Sequence, residues 1–197
     1  SGTLTYETWN FGNGATGWAG LELWSDPDGT LGSSDEQSWN QWHSLLGEIA
    51  APTNGALVDR PDFPTAFPVG IGNSDAHVPG LLGNVWTYAS VAGLDRPAVM
   101  DALVGGRCVA SNGPLLYGAI NGAGLGGVGL VHGADQVLVT LETTAEFGPI
   151  GDYTTRLYVN GVERVVVPSS GDGSFAITYD LSALDLQPTD RYVTLRT

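Results

Sequence analysis

The chain has 197 residues, 42% of them hydrophobic and 14% charged, and its 21 acidic residues face only seven arginines, giving a net charge of −14. That charge repels phosphate backbones and anionic lipid, which argues against nucleic acid and membrane surfaces as partners. No run approaches the ~20 apolar residues of a membrane-spanning helix, and a single cysteine, Cys108, excludes an intrachain disulfide framework.

The composition changes near the middle. All six tryptophans (Trp9, Trp18, Trp24, Trp39, Trp42 and Trp86) precede residue 90, and beyond residue 113 short β-rich runs alternate with Gly, Asn, Asp and Ser. The turn chemistry of Ser111-Asn112-Gly113-Pro114 marks the boundary. The expected organisation is an α/β unit over residues 1–112 and an all-β unit over 113–197.

In the first unit, Leu21–Trp24 reads as the end of a strand stopped by Asp26-Pro27-Asp28-Gly29. Ser34 and Gln37 stand as in a capping box, and Trp39, Trp42, Leu45, Leu46 and Ile49 follow at helical spacing. Phe67–Ile71 is a short apolar run ending in Gly72-Asn73-Ser74-Asp75-Ala76-His77. A second helix starts at Asp95 with Pro97 in its first turn and stops at Gly105-Gly106; Cys108–Ala110 is a buried strand. In the second unit, strands are expected at Leu115–Ile120, Val137–Leu141, Arg156–Val159, Val162–Val167, Ser174–Tyr179 and Tyr192–Leu195, packed as a sandwich. Asn160-Gly161 is the strongest hairpin signal in the chain, with both residues expected at positive φ.

The chemistry concentrates at Ser74-Asp75-Ala76-His77. In extended backbone, residues two apart point to one side, so Asp75 and His77 converge. A carboxylate and an imidazole at the C-terminal end of a strand are suited to a transition metal. The competing reading makes Asp75 an Asx-turn residue and His77 a surface residue.

The ordered set Gly20-Leu21-Glu22-Leu23-Trp24, Trp42 with Leu45-Leu46-Gly47, Gly72–His77, Trp86-Thr87-Tyr88, Ala102-Leu103 with Gly106-Arg107, and Val109–Pro114 resembles a group of metallohydrolases. It is similar to the C-terminal part of the PHP (polymerase and histidinol phosphatase) superfamily, in its CehA/McbA-type branch. The resemblance implies a distorted, TIM-like barrel of parallel strands around two or three divalent metals (zinc, manganese or iron). It implies small-molecule substrates with phosphoester, carbamate or other ester bonds. It also implies that Asp75 and His77 are metal ligands, with Asn73 and Ser74 behind them.

The His-x-His pair that opens the metal site in that family has no counterpart here, and the other histidines are His43 and His132. Val85-Trp86 stands where related sequences often carry an arginine. The expectation is therefore a fragment of a hydrolase, inactive by itself. Residues 1–112 would be the last part of a PHP-like barrel and 113–197 a β-sandwich truncated at its C-terminus. Apolar surface left by the incomplete barrel would favour a homodimer. The rival function is a non-catalytic sandwich binding glycan or protein without metal.

Other features have simpler readings. His43, beside Trp39 and Trp42, is expected in an interfacial core, and His132 on the surface. Glu22 is read as a solvated or hydrogen-bonded strand residue. Asp26, Asp28 and Gly29 form a turn, since the later ligands of a calcium loop are missing. Gly122–Gly127 matches G-x-G-x-x-G but has no following helix to hold a pyrophosphate. Cys108 is structural.

Overall fold

The computed structural model describes residues 18–25, 29–50, 67–127, 136–142, 153–169, 175–180 and 192–196. His132, Asp26 and Asp28 lie outside them. The elements in chain order are β1 (Gly20–Ser25), α1 (Ser33–Ala50), β2 (Val69–Asn73), a 3-10 turn (Pro79–Leu81), β3 (Trp86–Ala89), α2 (Arg96–Val104), β4 (Cys108–Ser111) and β5 (Leu115–Ile120). Then come β6 (Gln136–Glu142), β7 (Tyr153–Val159), β8 (Val162–Ser169), β9 (Phe175–Asp180) and β10 (Val193–Arg196). No helix among the described residues is long and apolar enough to cross a membrane.

The first half is α/β, as expected, but its strands close no barrel among the described residues. β1 and β2 pair in parallel and β3 and β4 pair antiparallel, as two separate ladders. The ladders meet through side chains. A Cβ on Gly72 would stand 2.8 Å from the Cβ of Ala110, and the Cys108 thiol lies 3.7 Å from the Gly70 carbonyl. Two successive contacts in the same sense set β4 alongside β2 and parallel to it. Between the ladders, the hydroxyl of Thr87 accepts the Gly72 N–H (3.0 Å) and donates to the Gly72 carbonyl (2.7 Å). A side chain thus takes the backbone groups that a continuous sheet would pair with a neighbouring strand.

Helix α1 covers the β1–β2 pair. Leu45 and Leu46 are buried with Pro68, Val69 and Val85, and the Trp42 indole N–H donates to the Pro68 carbonyl (2.7 Å). Gly70 carries no side chain where Leu23 and Trp42 cross β2: a Cβ there would lie 2.1 Å from Leu23 Cδ1. The helix begins at Ser33, so Ser34 lies inside it rather than at its cap. Its first turn is secured by Asp35, whose carboxylate accepts the N–H groups of Gly32 (2.7 Å) and Ser25 (3.0 Å). Helix α2 starts as expected, with the Asp95 carboxylate accepting the Ala98 N–H (2.8 Å) and Pro97 in the first turn.

The second half is all-β. β6 lies between β5 and β9, and β7 between β10 and β8, in two antiparallel three-stranded sheets. The sheets touch where Gly118 makes room for Leu195, whose Cδ1 would lie 2.7 Å from an added Cβ. Asn160 (φ 49°) and Gly161 (φ 77°) turn β7 into β8 with Val159 opposite Val162, the two-residue hairpin that the sequence announces. The register slips by one residue between Leu157 and Tyr158, which interrupts the alternation of Leu157, Val159, Val162 and Val165.

The β7–β8–β10 sheet also rests on α1. Arg196 of β10 forms a two-pronged ion pair with Glu36 and lies over the Trp39 ring, 5.4 Å from its centre. Tyr158 of β7 meets Trp39 edge-on at 5.7 Å. His43, expected at an interface, is half-buried between α1 and this sheet.

Candidate metal-binding end of the parallel strands

Because β1, β2 and β4 run in one direction, their C-terminal residues Ser25, Asn73 and Ser111 share one end of the first half. The loops leaving that end are tied together. The Asn112 side-chain amide donates to the Gly29 carbonyl (3.1 Å), and the Tyr88 hydroxyl donates to the Gly113 carbonyl (2.7 Å). Ser111, only 5% exposed, accepts the Gly113 N–H (3.0 Å) and donates to the Pro114 carbonyl (2.6 Å). The turn expected from Ser111-Asn112-Gly113-Pro114 is thus also a clasp between loops.

Asp75 and His77 emerge at this end. Asp75 Oδ2 lies 3.6 Å from His77 Nε2, so the two side chains do converge. Extended backbone is not the cause. β2 ends at Asn73, and Asp75 stands in the left-handed region at φ 42°. The Asn73 side-chain oxygen accepts the Asp75 N–H (2.6 Å), an Asx turn of the kind short polar side chains form. Asp75 therefore both takes part in such a turn and faces the imidazole. Both side chains are open to solvent, His77 the more so. Ser74 points inward: it is buried, and its hydroxyl accepts the Gly83 N–H at 3.4 Å, anchoring the next turn.

Glu22 of β1 belongs to the same electrostatic neighbourhood. Burial, and after it the charges of Asp75 and Asp35, push its carboxyl above the ordinary range, against a hydrogen bond from Ser25 that lowers it. Carboxylates crowded in this way favour a cation. Among the described residues, however, no group of three or more His, Cys, Asp or Glu is placed to hold a metal ion. The donor chemistry of Asp75 and His77, one oxygen and one nitrogen, fits a zinc, manganese or iron site in part.

The other candidates lie elsewhere. Gly126, within the Gly122–Gly127 run, is pressed against the turn after α2, where an added Cβ would come 2.0 Å from the Gly105 carbonyl oxygen. At that position the glycine serves packing against the turn. Burial raises the Cys108 thiol to about 11, which suits a structural residue. The sequence did not reveal the roles of Asp35 and Thr87, whose side chains bond the backbone of Ser25 in β1 and Gly72 in β2. A polar residue in the first turn of α1 was the only visible hint of the former.

Residues 69–108 match the family model described as PHP-associated, a stretch that begins with β2, holds Asp75 and His77 and reaches the first residue of β4. The match supports this segment as the C-terminal region of the PHP superfamily, and so a PHP-family hydrolase context. Neither the curated proteins nor the solved structures contain a match.

Proposed function

We propose that Asp75 and His77 are two ligands of a divalent-metal centre in a hydrolase of the CehA/McbA type, acting on phosphoester, carbamate or other ester bonds. The observation that carries this reading is their convergence to 3.6 Å at the C-terminal end of a parallel strand, inside the segment that matches the PHP-associated family. A bound divalent ion would supply an activated water and stabilise the developing oxyanion. Asn73 fixes the direction in which Asp75 leaves the strand, and Ser74 anchors the turn that presents His77. Catalytic sites normally draw at least three ligands from protein. In this reading the remaining ligands belong to the rest of a distorted barrel, with 1–112 its final part and 113–197 a sandwich. The chain is then a hydrolase fragment that binds metal weakly and has no turnover alone. A homodimer through exposed apolar surface belongs to the same reading, and Leu82 and Leu94 are among the exposed apolar residues.

Equilibrium dialysis against zinc or manganese tests the reading. The expected result is binding that His77→Ala abolishes. Equal uptake by the two proteins, or none by either, would leave the rival, a sandwich that binds glycan or protein without metal. Turnover of p-nitrophenyl phosphate lost on Asp75→Asn would show that the chain is more than an inactive fragment.

A further inference from the structure

We propose that the seat of the β7–β8–β10 sheet on α1 is an acid-released latch centred on His43, which holds the sheet while its imidazole is neutral and frees it on protonation. The imidazole is packed among Trp39 (ring centres 4.5 Å apart), Trp42 (5.5 Å), Tyr158 (5.9 Å) and Tyr192 (5.7 Å). The Asn160–Gly161 turn closes over it: a Cβ on Gly161 would lie 3.0 Å from His43 Nδ1 and 3.2 Å from the Tyr192 hydroxyl. Both ring nitrogens face hydroxyl groups, Nδ1 that of Tyr192 (3.3 Å) and Nε2 that of Thr194 (3.4 Å).

The hydrogen-bond pattern selects one tautomer. The Tyr192 hydroxyl already donates its proton to the His43 carbonyl (3.1 Å), so its oxygen is left to accept from Nδ1–H. Nε2 then accepts from Thr194. Adding a proton at Nε2 forces Thr194 from donor to acceptor and places a positive charge in a half-buried aromatic pocket beside Arg196.

The charged and titratable groups around the ring do not offset this. On α1, Glu36 is committed to Arg196 of β10; β7 contributes Tyr158 and Arg156, β8 contributes Glu163 paired with Arg156, and Tyr192 precedes β10. Burial, and after it Arg196, lower the His43 imidazole from 6.5 to about 4. The folded form therefore binds its proton later than an exposed histidine does. Docking is unaffected above pH 6.5, weakens by up to about tenfold per pH unit below it, and levels off below about 4. The hydrogen bond from Arg196 holds the Glu36 carboxyl below its ordinary 4.5.

The test uses the whole chain between pH 7.5 and 3.5. NMR titration of the His43 ring protons should give a midpoint well below 6.5. Tryptophan emission should shift as the pH falls below 6.5 while far-UV circular dichroism holds, and His43→Gln should remove that step. A ring midpoint near 6.5, a step that survives His43→Gln, or a far-UV signal that collapses together with the emission would each overturn the latch. The ring titration and the emission and far-UV profiles of the parent chain need no variant, so together they can overturn the latch even where His43→Gln fails to fold.

Discussion

The carboxylate of Asp35 accepts the backbone N–H of Ser25, which stitches the first turn of α1 to the last residue of β1. Asp35 is only 4% exposed, and it also accepts the Gly32 N–H. Hydrogen bonds to a charged acceptor are the strong kind, and leaving their donors unmatched costs more than the bonds themselves contribute. Asp35→Ala is expected to cost about 2–4 kcal/mol in urea unfolding, and Asp35→Asn, which keeps one acceptor oxygen, less. Equal stability of Asp35→Ala and the parent chain would contradict this role.

Gly161 answers to two constraints at once. Its φ of 77° disfavours any side chain, and a Cβ there would press on His43 Nδ1 (3.0 Å) and the Tyr192 hydroxyl (3.2 Å). Gly161→Val is expected to lose about 2–4 kcal/mol, combining left-handed backbone strain with overpacking. Gly161→Ala should lose less. Chemical denaturation that ranked the two variants equal to the parent would remove the hairpin from its place against α1.

Asn73 can be tested apart from Asp75 and His77, the proposed metal ligands. In Asn73→Ala the Asp75 N–H loses its acceptor and Asp75 loses the tie that keeps it left-handed. Groups that orient metal ligands are worth about 10–100-fold in affinity. A loss of zinc affinity in that range is expected by competition with a chelator, alongside faster hydrogen exchange at the Asp75 amide. Exchange unchanged in the variant would show that the Asx turn does not hold Asp75.

Cys108 should be slow to react. With its thiol raised to about 11, on the order of one molecule in a thousand carries a thiolate at pH 8. Labelling by a disulfide reagent is expected to be slow in the folded chain and fast in urea. Equal rates would place the thiol in solvent.

What the sequence disclosed was local. Asn160-Gly161 needs only its own backbone preferences to make a turn, and Asp95 with Pro97 needs only a helix to begin. β3 escaped notice because Trp86–Ala89 is too short to show alternation and becomes a strand through its pairing with β4. The convergence of Asp75 and His77 was legible from their spacing, but the reason given for it was wrong, since the chain had already left the strand. The contact between His43 and Tyr192 joins residues 149 positions apart. The neighbouring tryptophans showed that His43 sits at an interface, and nothing local named the sheet on the other side. The barrel expectation presupposed a continuous ladder, whereas here β2 and β4 meet through Gly72 and Ala110.

The hydroxyl of Thr87 makes that seam selective in composition. One oxygen answers both polar groups of Gly72, so position 87 tolerates serine or threonine and resists valine, although valine has the same outline. A methyl in place of the hydroxyl would keep every apolar contact and leave a donor and an acceptor facing hydrocarbon. Shape and wetting thus impose different alphabets at one position, and at this seam the second is the stricter.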